Sequence, residues 1–145
     1  MLTTNDKGAI AETAVIHAAV KAGILVLLPC TDERYDVVFD LGARFVRVQC
    51  KWAVRRGDVI VIPCFSRRRA ATGMITRFYT RDEVDAVAAY CDAVDRCFFV
   101  PIERLDNRRA ISLRLAPTRN NQAMGVNWAD DYDFERVDWA ALRGP

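Results

Sequence analysis

The stretch YDVVFDLGARFVRVQCK, residues 35–51, holds two apolar-polar alternating runs on either side of a short glycine-containing turn. Alternation with period two is the pattern of a half-buried strand, and two such runs around residues 41–44 read as a β-hairpin. In the second run Val46, Val48 and Cys50 share one face, while Arg47, Gln49 and Lys51 share the other. In the first run Asp36, Val38 and Asp40 share a face. If residues 41–44 form a four-residue loop, Asp40 faces Phe45 and Asp36 falls opposite Gln49. An acid, an amide and an amine then converge on one patch of sheet. The bland alternative is a solvated sheet face, with Asp36 and Lys51 as a surface ion pair worth ~0–1 kcal/mol.

Upstream of the hairpin, Asn5 or Asp6 is suited to cap a helix over about residues 7–22, with Gly23 as its left-handed terminator. Glu12 precedes Val15, Ile16, Ala19 and Val20 by 3, 4, 7 and 8 residues, so it lies on the stripe that faces the core. A carboxylate is costly there, unless it sits at the end of the stripe and only favours the helix dipole. Residues 24–28, closed by Pro29, read as a buried strand. Downstream, residues 58–64 read as another buried strand and residues 66–72 as a polar loop containing Arg67, Arg68 and Arg69. A strand over 74–79 follows, then a helix over about 81–91 capped by Thr80, then strands at 97–101 and 111–115. The tail from 117 is acidic, aromatic and irregular, suited to pack on the body or on a partner. This order gives one α/β (α+β) domain over 1–145, with a core at about 5–115 and the tail at 117–145.

A chain of 145 residues with 52% hydrophobic and 28% charged composition builds an ordinary core and excludes a disordered or low-complexity protein. The longest uncharged apolar run, residues 22–31, is half of what a bilayer span needs. With no signal-peptide pattern at the N-terminus, a cytoplasmic location is expected. The five cysteines are odd in number and lack a C-x-x-C pair, which argues against a disulfide framework and a zinc site and makes them reduced core residues. His17, the single histidine, reads as a packed side chain, which leaves classical triad chemistry without a base. Charge is unevenly distributed: residues 34–77 carry ten basic and three acidic groups, and the basic ones are nine Arg and one Lys.

Glu12 on a helix, Asp36 on a strand and Gln49-Cys50-Lys51 on the next strand, in that order, resemble the PD-(D/E)xK nuclease superfamily. Its core carries a helix Glu, a strand Asp and a strand (D/E)-x-K. The segments KGAIAETAV, RYDVVFD and FVRVQCKW are most similar to the group I intron-associated homing endonuclease branch. The resemblance covers residues 5–64 well and 65–115 in pattern only. Tyr35 stands where the eponymous Pro would be, and Gln49 replaces the acid, as in the homing branch. The fold implied is a restriction-endonuclease-like core, a mixed central β-sheet flanked by helices.

The resemblance also implies a chemistry for each residue. Phosphodiester hydrolysis needs a positioned water, neutralised phosphoryl oxygens and help for the leaving oxygen, which Mg²⁺ held by carboxylates provides, with Mn²⁺ a substitute. Asp36 is then the principal metal ligand, Gln49 lends an amide oxygen, Cys50 its carbonyl, and Glu12 binds directly or through water. Lys51 sits beside the attacking water. Arg55, Arg56, Arg67, Arg68 and Arg69 are expected to hold backbone phosphates of double-stranded DNA. Arg34, Arg44, Arg77, Arg108, Arg109, Arg114, Asn120 and Asn121 are unranked candidates for reading bases. The expected function is a Mg²⁺-dependent DNA endonuclease acting as a homodimer or homotetramer, because one active site of this size cuts one strand. The alternatives are a Holliday-junction resolvase or repair nuclease, and a non-catalytic DNA-binding module of the same fold.

Overall fold

Helix α1 (Thr4–Lys21) begins earlier than its apolar run suggests, in a computed structural model that describes residues 1–105, 107–122 and 124–144. The cap is Thr3, rather than Asn5 or Asp6. Its hydroxyl accepts from the Asp6 amide at 3.1 Å, and Asp6 Oδ2 accepts from the Thr3 amide at 2.7 Å. This reciprocal box satisfies two donors that the first turn leaves orphaned. Gly23 ends the helix at φ 79°, a conformation that favours a residue without Cβ. The buried stripe is Ala11, Val15 and Ala19, while Val20 is 60% exposed. Small residues four apart let α1 lie close on the sheet.

Strands β1 (Leu25–Leu27), β2 (Val37–Asp40) and β3 (Phe45–Arg56) form an antiparallel meander. Asp40 pairs with Phe45 and Val37 with Val48, the register that a four-residue turn dictates. The Leu41 amide donates to the Arg44 carbonyl to close that turn, and Gly42 takes φ 91°. Strand β3 runs on past Lys51 and turns into β4 (Val59–Pro63). Residues 66–72 are not a loop. Among the described residues, strands β5 (Phe65–Ala70) and β6 (Gly73–Phe78) pair only with each other, as a two-stranded ribbon apart from the seven-stranded main sheet.

The predicted helix over 81–91 does not form. Thr80 opens a single turn, its carbonyl accepting from the Glu83 and Val84 amides while its hydroxyl donates to Glu83 Oε1, and the chain then enters β7 (Ala86–Cys91). This strand runs parallel to β3, with Gln49 beside Val87 and Lys51 beside Ala89, and antiparallel to β8 (Arg96–Pro101). Ala86, Val87, Ala88 and Ala89 are fully buried. A strand covered on both faces has no polar alternation to betray it, and burial overrides the helix preference of alanine. Strand β9 (Ala110–Arg114) joins the sheet beside β4, giving a mixed α+β fold.

Two apolar layers cover the sheet. One holds Ile60, Ile62, Val87, Ala89, Phe98 and Leu113, and the other holds Val15, Phe39, Val48, Ala88, Phe99 and Trp139. The tail packs on the body and contains two short helices, α2 (Ala129–Tyr132) and α3 (Trp139–Arg143). Trp139 lies against Phe99 with ring centroids 4.9 Å apart, and buried Asp133 pairs with Arg96. Cysteines 50, 64, 91 and 97 are buried as expected, but Cys30 is exposed in the loop after Pro29. His17 is exposed rather than packed. Among the described residues, no helix is long and apolar enough to cross a membrane.

Candidate active site

The pairing of β2 with β3 ends at Val37 and Val48, and the residues of interest gather where it ends. The Asp36 amide still donates to the Val48 carbonyl at 2.9 Å. Two residues further along β3, the Cys50 amide has no β2 partner and donates to Asp36 Oδ2 at 2.8 Å. Because the N–H and C=O of a strand residue point to the same edge, the Cys50 carbonyl faces that opening too. The Gln49 side-chain amide reaches it at 3.4 Å. Asp36, Gln49 and Cys50 thus meet at one opened edge of the sheet.

Glu12 approaches from α1. It lines a cleft of about 220 Å³ with Tyr35, Asp36, Asp32 and Glu33. Burial, then the neighbouring Asp36 charge, raises the Glu12 carboxyl above its ordinary value. Asp36 is raised as well: burial outweighs the opposing Cys50 hydrogen bond and the Lys51 charge, and Asp32 adds to the rise. Burial also pushes the Cys50 thiol up, with Asp36 and Glu12 next in effect. A larger hollow of about 920 Å³, lined by His17, Lys21, Arg96 and Trp139, contains none of these residues. The smaller cleft is the one that brings Glu12 and Asp36 together.

Lys51 comes from the opposite face of β3. Its Nζ donates to the Phe65 carbonyl at 2.9 Å and lies 5.0 Å from the centre of the Tyr79 ring. Burial lowers its pKa, Asp36 opposes that effect, and Arg34 reinforces it. Arg34 stacks on the same ring at 4.4 Å and bonds Glu83, the Ser66 hydroxyl and the Phe78 carbonyl. Its donors are engaged in holding the root of the ribbon. Tyr79 and Arg34 therefore pack around Lys51, a role that no local spacing announces because the β5–β6 excursion separates Tyr79 from Lys51 in the chain.

The oxygen donors fit a hard divalent cation: two carboxylates, an amide and a backbone carbonyl. Both carboxylates carry unfavourable charge that a cation would relieve. Among the described residues no three His, Cys, Asp or Glu side chains are grouped as a metal cage, so a cation here would have to draw on the amide and the carbonyl as well.

The basic residues divide. Arg67, Arg68 and Arg69 stand exposed on β5, which begins at the residue bonded to Lys51. Arg55 and Arg56 lie at the far end of β3, roughly 15 Å along the strand from Lys51 at about 3.3 Å per residue. Arg55 is occupied with the Gly57 carbonyl at 2.8 Å. The structure does not bring this pair to the opened edge.

A family model described as PD-(D/E)XK endonuclease matches residues 2–135. Among solved structures, the chain is similar to the bacterial homing endonuclease I-Ssp6803I, with a TM-score of 0.76, 23% sequence identity and coverage of 98% of this chain and 94% of that one. No curated protein matches. The structural likeness establishes a shared fold, and the family match spans the helix that carries Glu12, Asp36 just before β2 and the strand that carries Lys51: the chain belongs to the PD-(D/E)XK endonuclease family.

Proposed function

We propose that this chain is a divalent-metal-dependent DNA endonuclease of the homing type, acting on double-stranded DNA as a homodimer or homotetramer. One observation carries the reading: the Asp36 carboxylate, the Cys50 backbone and the Gln49 amide meet at the opened edge of β3, with Glu12 on one side of the sheet and Lys51 on the other. Asp36 would be the principal ligand of Mg²⁺ or Mn²⁺, with Glu12, the Gln49 amide oxygen and the Cys50 carbonyl completing the protein's share. Such an ion, when bound, neutralises phosphoryl oxygens and polarises a water molecule. Lys51, braced by the Phe65 carbonyl and the Tyr79 ring, orients that water and stabilises charge developing at the phosphate. Arg67, Arg68 and Arg69 contribute positive charge for DNA. One set of these residues serves one strand, so a double-strand cut needs a second copy.

The test uses a randomised or genomic duplex library with Mg²⁺, because a homing enzyme with a long site has no assured target in a plasmid. Wild-type protein cleaves a subset of the library. Asp36→Asn and Lys51→Ala each lower cleavage by at least about 100-fold, the scale of a lost electrostatic stabiliser, while retaining DNA binding. Retention of wild-type cleavage in either variant overturns the assignment. A second reading, a DNA-binding module without catalysis, is favoured by Gln49, which leaves the opened edge with two carboxylates. DNA binding by the wild type with no cleavage under Mg²⁺ or Mn²⁺ would select it.

A further inference from the structure

We infer that one face of the β5–β6 ribbon reads base pairs in the DNA major groove, with Arg67 and Arg69 as the base-contacting side chains. The inference rests on the DNA endonuclease reading above and assigns sequence choice to an element outside the opened edge of β3.

The pairing of the ribbon separates its arginines. Arg67 stands opposite Thr76 and Arg69 opposite Met74, whereas Arg68 stands opposite Ile75 and Ser66 opposite Arg77. Directly opposed residues share a face and neighbours along a strand alternate. Arg67, Arg69, Met74 and Thr76 therefore lie on one face, and Ser66, Arg68, Ile75 and Arg77 on the other. The second face is tied to the body at its root: the Ser66 hydroxyl accepts from Arg34 at 2.7 Å, and Arg77 pairs with Glu83 at 2.9 Å. Ile75 on that face is half-buried.

The first face also carries Phe65 and Phe78 at its root, where the Arg109 guanidinium lies 5.6 Å from the centre of the Phe65 ring, and beyond that root it is open. Arg67, Arg69 and Thr76 are exposed and Met74 is 58% exposed. Among the described residues, neither Arg67 nor Arg69 has a carboxylate at ion-pair distance. The Arg67 guanidinium lies 5.0 Å from the centre of the Phe65 ring, which restrains the side chain while leaving its charge and donor fork available.

The dimensions suit a groove. A two-stranded ribbon is one of the elements that the ~12 Å major groove admits. Same-face residues on one strand lie about 7 Å apart, close to two base-pair rises of about 3.4 Å. Arg67 and Arg69 therefore address positions two base pairs apart, each with a fork that matches O6 and N7 of guanine. The Thr76 methyl and Met74 offer apolar contact to thymine methyls beside them. Arg68, facing the other way, is left to backbone phosphate. At the root, Phe65 bonds Lys51, which fixes the distance between the bases read and the phosphate presented to Lys51.

The test compares wild type, Arg67→Gln, Arg69→Gln and Arg68→Gln as full chains. Each is used to select duplexes from a randomised library in Ca²⁺, and the selected duplexes are then exposed to Mg²⁺. Wild type is expected to enrich guanines two base pairs apart. Arg67→Gln and Arg69→Gln each lose one of those preferences by about 5- to 150-fold, the range set by a bidentate base contact. Arg68→Gln weakens binding to all sequences alike and leaves the preference intact. The inference is overturned if wild type enriches no sequence, if preference is unmoved in both Arg67→Gln and Arg69→Gln, or if Arg68→Gln alone moves it. Selected duplexes that stay uncut in Mg²⁺ while the preference shifts as expected reject the nuclease reading and leave the ribbon assignment standing. Duplexes that are cut with an unmoved preference do the reverse.

Discussion

At the scale of residues, Asp36 illustrates how a site built for charge costs the fold something. Burial raises its pKa above 3.8, so the folded chain holds the proton more tightly than the unfolded chain. Stability is then fully present below pH 3.8 and falls as pH rises through the folded value, and Glu12 shifts in the same direction from 4.5. Asp36→Asn, which keeps an oxygen to accept from the Cys50 amide, should raise the thermal midpoint over wild type at pH 7 in metal-free buffer. The gain should vanish near pH 3, checked by circular dichroism at both values. Gln49→Glu adds an anion to the same edge and should tighten Mg²⁺ or Mn²⁺ binding measured by calorimetry. Unchanged affinity would put Gln49 outside the metal shell. Period two and turn length brought Asp36, Gln49 and Lys51 to one patch of sheet but left a site and a solvated ion pair both open, and the ordered resemblance with Glu12 is what favoured a site. Tyr79 and Arg34 were not legible, because Tyr79 returns to Lys51 only after the β5–β6 ribbon and Arg34 is held beside it by stacking on that ring, contacts that no period within residues 35–51 encodes.

At the scale of elements, β7 shows where local patterns mislead. Thr80, Asp82 and Glu83 carry genuine helix-start chemistry, and it is used for a single turn. The following alanines then enter a strand because β3 and β8 supply partners on both edges and apolar layers cover both faces. Small side chains suit that position, since α1 lies against β7 as well as β3. Ala88→Leu should therefore overpack the layer beneath α1 and destabilise the protein by roughly 1–3 kcal/mol in urea titration, where an exposed helix position would show almost no effect. The turn before β7 is anchored to β3 by Arg47, which bonds Asp85 at 3.0 Å and the carbonyls of Arg81 and Asp82. The polar face of β3 thus holds the neighbouring chain in register at Arg47 and presents Gln49 and Lys51 two and four residues further on. By contrast, the hairpin register was readable from Asp40–Phe45 to Val37–Val48, because those pairings follow from one turn, whereas the expected Asp36–Gln49 pair does not form and the Asp36 amide bonds the Val48 carbonyl instead.

At the scale of the whole molecule, the tail and the site share one apolar layer. Phe134 and Trp139 close it against Phe39 and Phe99, and the same layer includes Val15 of α1 and Val48 and Cys50 of β3. The residues that carry Glu12 and the Asp36 contact are thus anchored on side chains that the last twenty residues help to cover. Trp139 is 9% exposed, with its indole N–H bonded to the Phe134 carbonyl at 3.0 Å. Trp139→Ala removes that ring and leaves the Phe134 carbonyl without its donor, so a loss of about 3–5 kcal/mol is expected. A domain of this size has a total stability of about 5–15 kcal/mol, so such a loss consumes much of the margin without abolishing folding at low temperature. Cleavage by Trp139→Ala should then persist at 10–15 °C and fail on warming in step with loss of near-ultraviolet circular dichroism. Asp36→Asn, in contrast, should be inactive at every temperature while fully folded. If Trp139→Ala loses cleavage at low temperature with its fold intact, the tail has a part in the site beyond supporting the layer under β3.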